Sequence, residues 1–435
     1  MKMKRKIILL IAALVLGLRS FSANVETDRT WYLAGEAMTV SVTADNALIA
    51  YAELCDTDGL AAGVVVGLHD GKGTGVIELP SNLHSGYYVL SAYTRDDRRV
   101  ASRLVAVVNA LRKSADDDIR WVENTIPDSL SFAKTAGRQW DDNGVPASAD
   151  LTTEKAVDMR ETEGHIVKAR IRNVHEGRTF RGIQICPSLS VVGKQIHYFE
   201  GEMVNDTTAV FRIFDIQGKL PLVLSAVTYT GVSLPIELIS PFAALLPKAL
   251  PHLEFHYKRS EVEERSLAMQ RHQAAIAPAR HEPQMGVVAD ETAEEGAVLD
   301  YDDGVFGTRP YLTYNLDEYR QFLTVREVLL EYVECVVNKK IRGVPHLIVR
   351  TKQSLDDNSW PSLVLIDGMP VNDIGRLLDY DARRVHRINI YNGQYTFGNS
   401  VYNGILSFVT RSGQLTNYPV EPTMQYLVYE FPEEL

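Results

Sequence analysis

Short runs of alternating apolar and polar residues, such as MTVSVTA (38–44) and YYVLSAYT (87–94), recur through residues 24–111. Turn pairs at Asp45-Asn46, Asp58-Gly59 and Asp70-Gly71 separate them. A period of two sends alternate side chains to opposite faces of a strand, and short strands at this spacing predict a β-sandwich. A second set begins near 163 with HIVKARIRN, FRGIQICPSLS, QIHYFEGEMV, TAVFRIFD and LPLVLSAVT, with a turn at Gln217-Gly218-Lys219. It predicts a second sandwich over 161–240. Residues 112–160, charged and rich in Asp, Ser and Pro, read as a linker or loops.

The period lengthens after 241. Ser260 and Glu263 form a capping-box pattern for a helix over about 261–275, with Val262, Leu267 and Met269 as a thin apolar stripe; the Ala-, Pro- and acid-rich residues 277–298 then read as a mobile linker, so that 241–304 is helix plus linker. A second capping box, Thr324 and Glu327, precedes Val325, Val328, Leu329, Tyr332, Val333 and Val336 at helical spacing. This predicts a helix over 325–338, with Lys339 and Lys340 at its negative end. The strands HLIVRT, SLVLIDG, RRVHRINIYNG and GILSFVTRSG complete a small α+β unit over 305–413, and 414–435 reads as a tail. In VHRINIYNG, Val385, Arg387, Asn389 and Tyr391 alternate with His386, Ile388 and Ile390, giving one apolar face. The fold class is mainly β: two Ig-like β-sandwiches plus a small α+β C-terminal domain.

Composition changes this picture in two ways. Lys2, Lys4, Arg5 and Lys6 precede an apolar run from Ile7 to Leu18 and small residues at Ser20 and Ser22, the three parts of a secretory signal peptide over 1–22. The run is too short to span a bilayer, which takes about 20 residues. No later segment has the apolar length, so the mature chain is expected to be exported without a transmembrane span. The formal net charge of −11 argues against nucleic acid as a partner. Cys55, Cys186 and Cys335 are too few and too far apart for a disulfide framework or a zinc motif, and read as small core residues.

Candidate chemistry is sparse. In HLEFH, strand geometry puts His252, Glu254 and His256 on one face and Leu253, Phe255 and Tyr257 on the other; two imidazoles and a carboxylate could hold zinc for a metal-dependent hydrolase, or simply form a solvated face. In GKGTG (71–75) no Ser or Thr follows the Gly-Lys pair and no helix pattern comes next, so it reads as a hairpin turn and not a phosphate loop. LDYDDG (299–304) and the run Asp116 to Asp118 miss calcium-loop spacing. Ser233 and Ser240 sit in no nucleophile elbow, and the adjacent pairs Glu263-Glu264 and Asp356-Asp357 point apart. No cofactor is expected.

Three resemblances extend the reading. TDRTWYLAGEAMTVSV (27–42), with Tyr32, Gly35 and Glu36, and IELPSNLHSGYYVLSAYTR (77–95), with Leu79-Pro80, Ser85-Gly86-Tyr87 and Tyr93-Thr94, resemble the macroglobulin-2 type of domain. That resemblance implies an extracytoplasmic spacer or docking module over 24–111 without an active site. AVFRIFDIQGKLPLVLSA (209–226) is similar to the carboxypeptidase-regulatory type of Ig-like domain. Ile366-Asp367-Gly368 with Pro370-Val371, then Val385 to Gly393, then Asn403-Gly404-Ile405 leading to Thr410, resemble the plug domain of TonB-dependent outer-membrane receptors across about 345–413. A receptor barrel of at least about eight strands of 9–11 residues should follow, and 414–435 could supply two at most. Transport and energy coupling are therefore not implied. The whole arrangement resembles a group of envelope proteins of Bacteroidota.

The expectation is a non-catalytic interaction protein of the periplasm or outer membrane, partnered by envelope proteins, outer-membrane receptors among them. Leu363, Leu365 and Ile366 should be core; Asp367 and Gly368 should make a docking turn, leaving Met369, Asn372 and Asp373 free to meet a partner. The rival readings are the hydrolase at His252, Glu254 and His256, and a surface adhesin or glycan-binding module.

Overall fold

Strands dominate the chain, as the alternating patterns require. The computed structural model describes residues 24–95, 100–110, 112, 119–122, 161, 164–172, 185–193, 196–228, 231–276, 306, 308–341, 343–350, 361–413, 415 and 418–433. The signal peptide, most of the 112–160 stretch and the linker over 277–298 lie outside the described residues, as do Asp116 to Asp118, Asp356-Asp357 and LDYDDG. Two compact units result: one from 1–164, 242–279 and 432–435, the other from 165–241 and 280–431. Among the described residues no helix is long and apolar enough to cross a membrane.

The first unit opens with β1 (Asn24–Thr27), β2 (Trp31–Leu33), β3 (Ala37–Thr43), β4 (Ile49–Cys55), β5 (Leu60–Gly67), β6 (Lys72–Glu78), β7 (Gly86–Tyr93), β8 (Ala101–Val108) and β9 (Ile119–Trp121). A three-stranded sheet, β1-β3-β6, faces a five-stranded sheet, β2-β8-β7-β4-β5, around Met38, Val40, Val42, Ala52, Leu54, Leu90 and Val105. GKGTG is a hairpin: Asp70 and Gly71 take φ of 50° and 75°, and His69 and Lys72 exchange backbone hydrogen bonds of 2.9 and 3.0 Å. Gly73 admits no side chain there, since a Cβ would lie 2.0 Å from the Gly67 carbonyl oxygen. The stretch read as linker or loops contains β9, so it is not structureless throughout.

The second unit begins with β10 (His165–Ile171), β11 (Ile185–Val191), β12 (His197–Glu200), β13 (Glu202–Met203), β14 (Thr208–Ile213), β15 (Gly218–Thr228) and β16 (Ile236–Ile239). Four of these form the sheet β13-β14-β10-β16.

The chain then returns to the first unit through β17 (Leu253–Phe255) and α1 (Arg259–Ile276). β17 pairs in parallel with β9, and Leu253, Phe255 and Val262 pack on Leu33, Val89, Leu104 and Ala106. Burying a side chain the size of Phe255 stabilises by roughly 1.5–3 kcal/mol. Part of the second face of the five-stranded sheet is thereby covered, and Phe242 and Leu245 cover the part over Ile49 and Tyr51, which is why β4 is buried at every position. The capping box at Ser260 does not form: the helix starts at Arg259, so Ser260 lies inside it, and Glu263 instead accepts from Arg259 Nε at 2.7 Å. The buried stripe is Val262, Ser266 and Met269, at spacings of four and three; Leu267 faces water.

The remainder belongs to the second unit: β18 (Leu312–Asn315), α2 (Val325–Glu331), β19 (Val336–Ile341), β20 (Val344–Val349), β21 (Leu363–Ile366), β22 (Met369–Pro370), α3 (Ile374–Leu378), β23 (Val385–Phe397), β24 (Ser400–Thr410) and β25 (Gln425–Phe431). Thr324 forms its capping box, with Glu327 N donating to Thr324 Oγ1 and Glu327 Oε2 accepting from Thr324 N, and Val325, Val328 and Leu329 are buried as the spacing required. The helix ends seven residues earlier than predicted, at Glu331 rather than 338. Val336, Lys339 and Lys340 lie in β19, antiparallel to β20, because the β-branched pair Val336-Val337 suits a paired strand better than a helix end.

Residues 425–431 are not a tail. As β25 they complete the sheet β12-β11-β15-β25, placing Tyr429 and Phe431 in the sandwich core. Tyr429 OH lies 2.7 Å from Nε2 of the fully buried His165. The C-terminal sheet runs β18-β23-β24-β21-β22. A register shift between Val385 and Arg387 breaks the expected alternation in β23 and brings Val385 into the same core as Ile388 and Ile390, while Asn389 and Tyr391 on the opposite face are buried too.

A candidate docking surface

HLEFH is a strand, with Leu253 and Phe255 inward and Glu254 exposed. Glu254 sits opposite Arg120 in the parallel register and accepts from its Nη1 at 2.9 Å. Among the described residues no group of three or more His, Cys, Asp and Glu is arranged to hold a metal ion, so His252, Glu254 and His256 are not brought together as ligands. Burial pushes the thiols of Cys55, Cys186 and Cys335 upward, away from the reactive thiolate.

The predicted docking turn has the right local geometry and the wrong surroundings. Asp367 and Gly368 take φ of 45° and 87° between the paired residues Ile366 and Met369, a tight two-residue turn. Asp367, however, is fully buried. Its carboxylate accepts from Thr410 N at 2.7 Å, from Thr410 Oγ1 and from Leu415 N at 2.9 Å, and its carbonyl accepts from Gly193 N at 2.9 Å. Burial raises its pKa, and the bonds from Thr410 and Leu415 work against that rise. A Cβ on Gly368 would come within 2.9 Å of the Val191 carbonyl oxygen.

The turn is therefore seated on the end of β11, in the same unit. Met369 is buried, and Asn372 donates through Nδ2 to Ser225 and Ser233 while its N–H meets Glu421 at 3.1 Å. Neither is free for a partner. Asp373 is exposed, but it caps α3 through Arg376 N. Leu363, Leu365 and Ile366 are core.

What the unit does present lies around α2. The helix buries Val325, Val328 and Leu329 and turns Leu330 outward, 81% exposed; Leu323, two residues before the helix, is 64% exposed. Across the helix, Tyr332 packs between Tyr319, at 4.6 Å between ring centroids, and Phe322, at 5.4 Å. These rings wall a small cleft of about 10 Å³, room for about one water-sized group, whose other lining residues include Arg320, Arg383 and Arg411.

Two of the three guanidinium groups are held in place. Arg383 forks onto Asp381 at 2.9 and 2.8 Å; Arg411 donates to the Arg383 carbonyl at 2.7 Å and to Asp317, which also meets His386 at 2.9 Å. The Arg411 hydrogen bond holds Asp317 below the usual carboxylate range, and the Arg383 hydrogen bond does the same for Asp381. Arg320 is exposed and has no carboxylate partner among the described residues. The sequence reading missed this cleft. Its residues come from 316–332, 382–383 and 411, and no motif joins them.

No family model matches the chain, and no curated protein matches it. Among solved structures it is distantly similar to a Salmonella alpha-2-macroglobulin at 12% identity and a TM-score of 0.18, covering 53% of this chain and 15% of that one. Escherichia coli alpha-2-macroglobulin in its native conformation gives 13% identity and a TM-score of 0.18, with coverages of 52% and 15%. The elastase-activated form gives 12% and 0.19, with coverages of 52% and 20%. The chain spans a fifth or less of the length of these proteins, and the likeness has no bearing on activity or partners.

Proposed function

We propose that this chain is a non-catalytic docking protein of the cell envelope, in which an acidic segment of another envelope protein lies across the surface beside α2 and sets one side chain at the small cleft there. One observation carries the proposal: Arg320, Arg383 and Arg411 line one cleft with Tyr319, Phe322 and Tyr332, and Arg320 has no carboxylate partner among the described residues, in a chain whose net charge is −11. Planar guanidinium groups on fixed supports suit carboxylates, and rings beside them suit an apolar residue of the same segment. The exposed Leu323 and Gln321, beside Phe322 of the cleft, extend the contact. The plug-like order of motifs over 345–413 and the signal-peptide pattern over 1–22 support export to the periplasm or outer membrane as the setting, with the sandwiches as spacers.

A photo-reactive residue at 321 or 323, introduced in cells that express the full chain, tests this. Adducts to one envelope protein are expected at both positions and should disappear with Arg320→Glu. The same label at Val232, 56% exposed elsewhere in the unit, is the control. Adducts of equal yield at Val232, or adducts indifferent to Arg320→Glu, would sink the assignment. Labelling only by lipid would point to a membrane surface instead of a protein and would equally overturn it.

A further inference from the structure

The second unit contains a polar contact that the docking surface does not use. The β23–β24 hairpin ends in a tip over Phe397 to Ser400, which lies against β12. Ser400 Oγ donates to Glu200 Oε1 at 2.6 Å. Gly398, at a φ of 53°, sits so close that a Cβ there would be 3.3 Å from Glu200 Cβ. The other carboxyl oxygen, Glu200 Oε2, is buried and has no hydrogen-bond partner among the described residues. An aromatic seal surrounds the pair, with Tyr198 edge-on to Phe397 at 5.0 Å and its hydroxyl 3.3 Å from that of Tyr402.

We propose that the hairpin tip is a proton-operated latch: it is clamped on β12 while Glu200 carries a proton, and it loosens when that carboxyl ionises. The physical reason is desolvation. An ionised carboxylate with one oxygen shut away from water and unpaired is costly, whereas the neutral acid is not. The titratable groups facing Glu200 are Cys186 from β11, Tyr198 from β12 itself and Tyr402 from β24; none is a cation that could offset the charge. The next histidine on β12, His197, feels Asp215 instead. Burial accordingly lifts Glu200 to about 7, even though Ser400 and the backbone N–H groups of Asn399 and Ser400 pull it back.

The sign follows from linkage. A group whose pKa is higher when the tip is closed stabilises closure fully below the pKa of the open state, near the ordinary value of 4.5, and loses that contribution as the pH rises through about 7. Between about pH 5.5 and about pH 8 the opening equilibrium should shift about 30-fold if unscreened, and on the order of tenfold once partial exposure is allowed for.

Hydrogen exchange of the full chain reads this directly in peptides covering 395–402, after correction for the intrinsic pH dependence of exchange. Protection of the tip should fall by on the order of tenfold between those two pH values, while β3, which carries no titratable side chain and serves as an internal reference, keeps its protection. Glu200→Gln should hold the tip equally at both pH values. Ser400→Ala removes a bond that favours the ionised form and should move the midpoint to higher pH. Equal protection of the wild-type tip at both pH values would overturn the latch, as would a pH dependence that survives Glu200→Gln or a midpoint unmoved by Ser400→Ala.

Discussion

Each unit uses a fully buried carboxyl group to tie distant backbone together, Glu53 in the first and Asp367 in the second, and the two act from different backbone positions. In the first unit Glu53 lies in the middle of β4, points away from the sandwich core and is fully buried. It accepts from Tyr93 OH at 3.0 Å and from the backbone N–H groups of Ala244 and Leu245, tying the segment after residue 241 to the outer face of the sheet. In the second unit Asp367 does the same for Thr410 and Leu415, but from a two-residue turn at positive φ. A strand position tolerates many side chains, so Glu53 is needed for its oxygens alone. The turn position restricts the backbone as well, so Asp367 is needed for both its oxygens and its tolerance of the left-handed region.

The largest effect should come from Asp367→Ala. It leaves the N–H groups of Thr410 and Leu415 unpaired in the interior and places a Cβ-only residue at a φ of 45°, for a loss of about 3–5 kcal/mol from the second unit. Chemical denaturation of the full chain, with hydrogen exchange assigning the transition, should show that unit melting first. If Asp367→Ala cost less than Glu53→Ala, the distinction between turn and strand would be lost.

Glu53→Ala should cost about 2–4 kcal/mol in the first unit and free the amides of Ala244 and Leu245 to exchange. Glu53→Gln keeps one acceptor oxygen and should recover part of that loss. In both variants the NH2 meets a backbone N–H, but Asp367→Asn should recover more, because Asn keeps the tolerance of positive φ as well as one acceptor oxygen. The ratio of the two rescues sharpens the comparison, and equal rescues would argue against it.

Smaller effects are expected where neither device acts. Thr324→Ala removes one side of the capping box and should cost about 1 kcal/mol, read as a lower denaturation midpoint of the second unit with an unchanged slope. Leu323→Glu, just before the same helix, should change stability by no more than about 0.5 kcal/mol while abolishing the photo-adduct at residue 321. A destabilised Leu323→Glu protein would show that this surface is covered within the unit and is no docking surface.

Much of this architecture was legible in the residues. The alternation in MTVSVTA and YYVLSAYT became β3 and β7, Asp70-Gly71 became the hairpin turn, and Thr324 with Glu327 became the cap of α2. These are local outcomes, set by side-chain period, by the ease of positive φ at Asp and Gly, and by a hydroxyl within reach of an N–H three residues on. The misreadings share a different cause. Lys339 and Lys340 continued a helical count, yet pairing with β20 drew them into a strand; QYLVYEF (425–431) carried the alternation of an ordinary strand, but nothing nearby in the chain could show that β15 would receive it.

The same boundary divides the candidate site. That Asp367-Gly368 turns sharply follows from two residues. That the turn is interior follows from Gly193 and Val191, which meet it from another part of the chain. The arginine and aromatic cleft has the same character, since Arg320, Arg383 and Arg411 are unremarkable singly and acquire meaning only side by side. Periodicity and turn chemistry act over a few residues and determine which elements form and which of their faces is apolar. Which apolar face is covered, and by what, depends on contacts between distant segments, whose free energy no local pattern contains.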